Sequence, residues 1–507
     1  VISSETDTPN PIPSEIGMTD QDSDSDQSQL YSLLTIVKNV FSLILSTLVA
    51  MGLGFVISWI LARKLGDELY GNYVFMLGIA GLIVSLADLG LGRVTIREMA
   101  KEKGKAGEYL FTGIIIRLAA YVLVFLVIVG LAFSIEQLNG WEMTAIVIGL
   151  TAIILNMSNL LRGPFTSFEK LELDLLTRGA EQGVSLVIVI GLIALGLSLN
   201  PLTVGLLVGA TAGLVITIYY TLKLTPPSGL IYNTETGKSL LKTGIPMGFS
   251  IIIVGFYARY DVLILGILRD TQEVAWFSIA YSFILILALI SFSSTNALFP
   301  IFSRLSGIHR EQQLTLLRDS LRYVLIIAIA VSGGVYITAE TVVLTIYGQE
   351  YAPAFEALQI MAFSLTFMFP THLMLTLLYA ENRQNWVLSG HFTSGVLLLI
   401  FDPLLISRYG IHGAALSNIM VEFTIFCVYI YFTKISIGSI GVDTIVRPML
   451  AGIIAAGVYL VLPLPLILSI MMCGSVYLAA LFAVQAIRPK DVSLIKGLVY
   501  ERFNLGG

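Results

Sequence analysis

The sequence predicts an all-α polytopic membrane protein, and three observations carry that prediction. Apolar side chains make up 56% of the 507 residues and charged ones only 12%, about half the ~25% of an average soluble domain. Apolar runs of about twenty residues recur along the chain, each long enough to cross a hydrocarbon core about 30 Å thick. Basic residues collect in alternate connections between those runs. Together these exclude a soluble globular protein and a wholly disordered one, and they leave no room for a sizeable soluble domain.

The elements follow in order. Residues 1–34 read as a disordered, cytoplasmic acidic tail, in which Glu5, Asp7, Glu15, Asp20, Asp22, Asp24 and Asp26 stand without a Lys or Arg. The tail lacks the basic n-region of a signal peptide, and no small-residue cleavage site follows it. The chain opens on Val1, so its true start is expected at an alternative codon or upstream. Spans are expected at 36–62, 70–92, 109–134, 141–161, 179–199 and 201–222, which form an N-terminal lobe over 35–222. A polar linker at 223–243 follows, and then a C-terminal lobe over 244–434. That lobe's spans are expected at 244–268, 274–303, 320–346, 354–380, 386–406 and 411–434. A last pair of spans at 446–464 and 466–487 lies within 435–487, and 488–507 forms a C-terminal tail. The expectation is therefore about fourteen transmembrane helices.

Orientation comes from the 29 Lys and Arg. Lys38, Arg117 and Arg259 lie within spans, and Arg63, Lys64, Arg269 and Arg408 lie in one set of connections. The other 22 fall in the opposite set and the C-terminal tail. Cytoplasmic loops carry the basic excess, so both termini are expected in the cytoplasm. Arg93–Tyr109 and Arg304–Arg322, with interleaved cations, are expected to lie as amphipathic helices on that face. Cys427 and Cys473 sit in apolar runs and read as packing residues. No concentrated basic face suggests nucleic acid, and no cofactor or metal site is expected. Thr236-Gly237-Lys238-Ser239 ends like a phosphate loop, but Tyr232 stands where its first glycine is required.

The two lobes echo each other. The connector Leu61-Ala62-Arg63-Lys64-Leu65-Gly66-Asp67-Glu68-Leu69-Tyr70 follows span 1, and Gly266-Ile267-Leu268-Arg269-Asp270-Thr271-Gln272-Glu273-Val274-Ala275-Trp276 follows span 7. Each leaves through a basic residue, turns on acids and re-enters on an aromatic. Six spans per lobe make the repeats parallel, related by an axis along the membrane normal, with a central cavity that opens to either side in turn.

Four stretches carry a more particular likeness. They are Ala62-Arg63-Lys64-Leu65-Gly66 through Tyr73 with Asp88-Leu89-Gly90-Leu91-Gly92; Arg259-Tyr260-Asp261-Val262-Leu263-Ile264-Leu265-Gly266 with Phe299-Pro300; Tyr347-Gly348-Gln349-Glu350-Tyr351-Ala352-Pro353; and Tyr409-Gly410-Ile411-His412-Gly413. In them the chain resembles the polysaccharide transporter, or oligosaccharide flippase, family of the MOP superfamily. The resemblance implies a flippase that moves a polyisoprenyl-linked oligosaccharide to the outer leaflet, and not an enzyme. It implies twelve core helices in two lobes, and it carries over no catalytic residue. A multidrug–cation antiporter of the same superfamily is the rival within transporters, and a membrane-embedded glycan polymerase or glycosyltransferase is the rival among enzymes.

Site residues therefore follow from charge in the membrane, where each ionised group costs at least ~2.5–3.5 kcal/mol and demands a partner or water. Arg259 and Asp261 stand deep in span 7, about 200° apart around the helix, so they do not pair with each other. Arg259 and Arg117 are the expected contacts for the substrate's diphosphate. Asp261 and Glu422, the latter near the middle of span 12, are expected to hold the proton or sodium ion that couples transport. Asp402 is expected to cap a break before Pro403, Asp88 to pair with Arg93, and His372 and His391 to be satisfied core residues. Pro246 and Gly248 are expected to let span 7 bend.

The orientation is tested by labelling introduced cysteines with an impermeant thiol reagent. Gly140→Cys and Gly348→Cys are expected to react from outside, and Gly104→Cys and Gly237→Cys are not. Reversal at any of the four overturns the fourteen-span order.

Overall fold

The computed structural model describes residues 20–225, 229–307, 309–434, 443–462 and 465–487. The tails at 1–19 and 488–507, including the cations counted in the latter, lie outside the described residues. The described residues form helices and their connections, with no strand among them.

Helix α1 runs Asp20–Leu86. It would be about 100 Å long if straight. Gly66 breaks it with φ 77° and ψ 173°, a conformation open to glycine alone. The Tyr70 hydroxyl hydrogen-bonds Ser58, twelve residues earlier, so α1 is a hairpin of two limbs. Of the tail expected over 1–34, residues 1–19 lie outside the described residues, and the backbone is helical from Asp20.

The first half continues with α2 (Leu91–Lys101), α3 (Ala106–Ser134), α4 (Glu142–Leu161), the single-turn α5 (Gly163–Ser167), α6 (Leu171–Ala194) and α7 (Leu199–Leu224). Helix α2 is amphipathic, burying Leu91, Val94 and Met99. Helix α6 starts eight residues before the span expected at 179. Its extra charges are paired: Lys38 meets Glu172 at 3.1 Å, and the Ser46 hydroxyl donates to Asp174 at 2.6 Å.

The second half comprises α8 (Thr234–Leu268), α9 (Thr271–Asn296), α10 (Phe299–Leu305), α11 (Arg310–Ile346), α12 (Ala352–Ala362), α13 (Ser364–Ala380), α14 (Gln384–Tyr409) and α15 (Ile411–Thr433). Helices α16 (Asp443–Val461) and α17 (Leu466–Ala483) pack as a pair on α11. The linker expected at 223–243 is largely helical, because α7 ends at Leu224 and α8 begins at Thr234. The Asn233 side chain accepts from the amides of Glu235 and Thr236, so the Thr-Gly-Lys-Ser run is the capped first turns of a helix. Arg310–Arg322 is the opening of α11 rather than part of a separate surface helix.

Among the described residues, ten helices are long and apolar enough to cross a membrane, or eleven if α12 and α13 form one span. Those two meet at a 47° bend, where Phe363 and Thr366 bond carbonyls three residues back instead of four. Large apolar side chains such as Leu123, Val187 and Phe133 face outward, as a lipid-facing surface requires.

The two halves touch at both ends of the bundle. At the Gly66 end, Trp59 and Arg63 donate to the Ile346 carbonyl at 2.8 and 2.9 Å, and the Tyr351 hydroxyl donates to the Ala62 carbonyl at 2.7 Å. Tyr70, Tyr347 and Tyr351 stack edge to face behind these bonds. At the other end, Leu89 (φ 47°) and Gly90 (φ 71°) turn the chain between α1 and α2 and lie directly on Gly244 and Gly248 of α8. A methyl group on Gly248 would come to 2.5 Å from the Leu89 carbonyl carbon and 2.6 Å from the Gly90 nitrogen.

Cys427 is exposed rather than packed, so thiol labelling calls for a Cys427→Ser background. Gly140 and Gly348 have φ of 83° and 98°, which makes Asn139→Cys and Gln349→Cys less strained probes of the same connections. The glycine contact yields its own expectation. Gly248→Ala should hold the Gly90 end apart, so that Leu89→Cys, on the same turn, labels more readily from that side than in a Gly248 protein. Equal labelling would show that the contact closes nothing.

Candidate functional site

The charged residues of the bundle form two groups with opposite characters. In the first half, the Arg117 side chain on α3 is almost wholly buried. It forms an ion pair with Asp88, at the end of α1, and donates to the carbonyl and the side-chain oxygen of Asn156 on α4, both at 3.3 Å. The Tyr121 hydroxyl donates to the same Asn156 oxygen at 2.7 Å. Arg117 is thus the centre of a clamp joining three helices. Asp88 takes Arg117 as its partner, not the expected Arg93, because α2 turns away immediately after Gly90.

A second buried pair lies nearby. Arg162, counted from sequence as a loop cation, joins Glu181 at 2.6 Å and donates to Thr177 at 3.2 Å, with only 4% and 5% of the two acid–base partners exposed. Breaking such a pair on one side typically costs about 3–5 kcal/mol. Both groups hold helices together.

The second half is different. Helix α8 carries Arg259 and Asp261 on nearly opposite faces. Arg259 is exposed, and among the described residues it makes no ion pair. Its guanidinium lies along Gly81 on the second limb of α1, where a side chain would come within 3.8 Å of the Arg259 Nε. Arg259 therefore stands where the two halves face each other. The Tyr281 hydroxyl on α9 lies within electrostatic reach of Arg259, Asp261 and Glu422 together. Three of the four residues expected from sequence so converge on one tyrosine, and Arg117 stands apart.

Behind Arg259, Asp261 is 6% exposed and faces the carboxyl group of Asp402 on α14, which is wholly buried. Ser417 and Asn418 of α15 are buried beside them, with Ser417 in reach of Asp402. Among the described residues, Oδ1 of Asp261, both carboxylate oxygens of Asp402, the Ser417 hydroxyl and Oδ1 of Asn418 make no hydrogen bond of good geometry. Two ionised carboxylates at such range repel, so a shared proton or a cation between them satisfies the arrangement. Glu422, 7% exposed, follows Asn418 by one turn on the same face of α15.

Asp402 was expected to cap a break, yet α14 runs unbroken through Asp402 and Pro403. A buried helix tolerates such a proline when its neighbours enclose the freed carbonyl. The one clue in the sequence was an acid inside an apolar run; which helix it would face is a property of packing alone. His372 accepts or donates to Ser291 at 3.0 Å and meets Phe292 edge to face.

Comparison with known proteins places this geometry. Residues 36–306 match the family model described as polysaccharide biosynthesis protein. The chain is 25% identical over 390 residues to the probable low-salt glycan biosynthesis flippase Agl15 of Haloferax volcanii, covering 76% of this chain and 80% of that one. It is 24% identical over 406 residues to a putative O-antigen transporter of Shigella flexneri, covering 75% and 92%. Its fold is similar to the inward closed conformation of the lipid II flippase MurJ, with a TM-score of 0.70 at 14% identity over 86% of this chain and 97% of that one. An inward-facing multidrug resistance MATE transporter of the MOP superfamily aligns with a TM-score of 0.59 at 14% identity, over 78% and 98%. The likeness to these structures shows a shared multi-helix membrane fold.

Proposed function

The chain belongs to the polysaccharide biosynthesis protein family, and from that premise we propose that it is a flippase. Its cargo is a polyisoprenyl-linked oligosaccharide, carried from the cytoplasmic to the outer leaflet by alternating access during cell-surface glycan biosynthesis. It acts as a transporter, with no covalent chemistry assigned to it. The relatives named as a glycan biosynthesis flippase and an O-antigen transporter support this cargo class.

Fourteen crossings make up the bundle in this reading. The two limbs of α1 count separately, the bent α12–α13 pair counts once, and α8 and α17 join the ten helices that meet the length and hydropathy requirement. The first twelve form two parallel-related lobes, and α16–α17 are an addition. Both termini lie in the cytoplasm, which puts the Gly90 end inside and the Gly66 end outside.

The observation that carries the function is the exposed, unpaired Arg259 between the lobes, backed across α8 by a buried acidic group. A diphosphate crossing the bundle needs a cation that is not already engaged, and a guanidinium binds phosphate oxygens in pairs. Arg117 is held by Asp88 and Asn156, so its part is to fix the wall of the first lobe. Asp261, Asp402 and Glu422 form the coupling site for a proton or sodium ion, with Tyr281 in electrostatic reach of Asp261, Glu422 and Arg259. Loss of the ion leaves like charges facing one another across α8 and α14, which favours a different packing of α8 and so shifts the inward–outward balance. A multidrug antiporter remains the second reading, favoured only by the fold it shares.

Two expectations follow. Per folded molecule in proteoliposomes, Arg259→Ala should lower translocation about ten- to a hundredfold, the loss of about 1.5–3 kcal/mol of charge-assisted bonding, while Arg259→Lys retains part. Normal specific activity in the Ala variant removes Arg259 from the substrate path. Glu422→Gln and Asp402→Asn should each abolish gradient-driven accumulation and leave slow downhill equilibration. Full accumulation in both variants would take the coupling ion away from this cluster.

A further inference from the structure

Arg93 falls in the first turn of α2, just past the Leu89–Gly90 turn that lies on Gly244 and Gly248 of α8. Its expected partner, Asp88, is taken by Arg117. Leu91, Val94 and Thr95 are buried beneath the same stretch of α2, and Arg93 is exposed. Other cations at this end of the bundle are paired. Arg97 and Lys101 share Glu98, and Arg310 and Arg383 share Glu381. Arg93, among the described residues, makes neither an ion pair nor a side-chain hydrogen bond. What it faces is the other half of the protein. Tyr379, 41% exposed near the end of α13, lies within electrostatic reach of it.

We propose that Arg93 and Tyr379 form a loading site, which holds the cargo's diphosphate at the cytoplasmic headgroup level before Arg259 receives it. This rests on the flippase reading above, in which the Gly90 end lies inside. The chain of a polyisoprenyl diphosphate stays in hydrocarbon, so its phosphates first meet the protein at the headgroup boundary. Helix α2 belongs at that boundary, with an apolar face buried and its cations turned outward. A guanidinium takes phosphate oxygens in pairs, and a phenol hydroxyl donates one further bond. One donor comes from each half. A bound diphosphate therefore bridges the halves beside the Gly90–Gly248 contact and favours closure of the inner end. On α8, Gly248 precedes Arg259 by about three turns, roughly 16 Å of helix, which is the step from the loading site to the cation between the lobes.

Two measurements on the full chain test the site. The first is native mass spectrometry of the detergent-solubilised protein titrated with a polyisoprenyl diphosphate or with phosphatidylglycerol. Arg93→Gln should weaken the diphosphate about tenfold, the loss of a charge-assisted bond, and Tyr379→Phe about two- to threefold. Arg93→Lys should recover part of the loss, and phosphatidylglycerol should bind alike in all four proteins. The second is translocation in proteoliposomes. There Arg93→Gln should act mainly on the half-saturating cargo concentration, raising it about tenfold, whereas Arg259→Ala acts mainly on turnover. Unchanged diphosphate affinity in Arg93→Gln, or an equal loss of phosphatidylglycerol, would overturn the loading site and leave the flippase standing. A loss of turnover with no change in half-saturation would make Arg93 structural and overturn it as well. A wild type that binds no polyisoprenyl diphosphate would overturn both readings.

Discussion

A charge inside an apolar helix bundle has to be matched by an opposite charge, a proton or water, because hydrocarbon supplies none of these. That constraint sorts the ionisable residues of this chain. Where the match is complete, as between Arg117, Asp88 and Asn156 or between Arg162 and Glu181, the charges fasten helices to one another. Where it is left open, as at Asp261 and Asp402 or at Arg259, the flippase we propose has the coupling ion or the cargo complete the match.

The backbone arrangement supports the same division. The two halves meet through close contacts at both ends, by tyrosines and tryptophan at the Gly66 end and by bare backbone at Gly90, Gly244 and Gly248. Helix α8 takes part in both the glycine contact and the acidic group, with Pro246 inside it between Gly244 and Gly248. Asp261 and Arg259 are one turn or less apart on that helix and face different ways. One helix thus presents its anion to the second half and its cation to the first.

Much of this fold is legible in the sequence because the membrane enforces it. A run of twenty apolar residues has few alternatives to a spanning helix, and the runs around 109–134, 201–222 and 411–434 match α3, α7 and α15 closely. The departures occur where polar residues find partners far along the chain. Helix α6 extends past its apolar run because Lys38 and Ser46 satisfy its acids. The site was legible only residue by residue. An isolated Arg259, Asp261 or Glu422 stands out against hydrocarbon, but the meeting of Asp261 with Asp402 depends on how α8 and α14 pack, about 140 residues apart. Arg117 stood out for the same reason as Arg259, yet Asp88 and Asn156 reach it only once the chain is folded.

The most direct measurement reconstitutes the unmodified protein in proteoliposomes and offers it a polyisoprenyl-diphosphate oligosaccharide in one set and a lipophilic organic cation in another, each with and without an imposed proton or sodium gradient. Movement of the lipid-linked glycan between leaflets, accelerated by one of the two gradients, with the organic cation left where it was added, is the predicted result. Gradient-driven movement of the organic cation with the glycan lipid unmoved would contradict the flippase and make the chain a drug antiporter on the same fold.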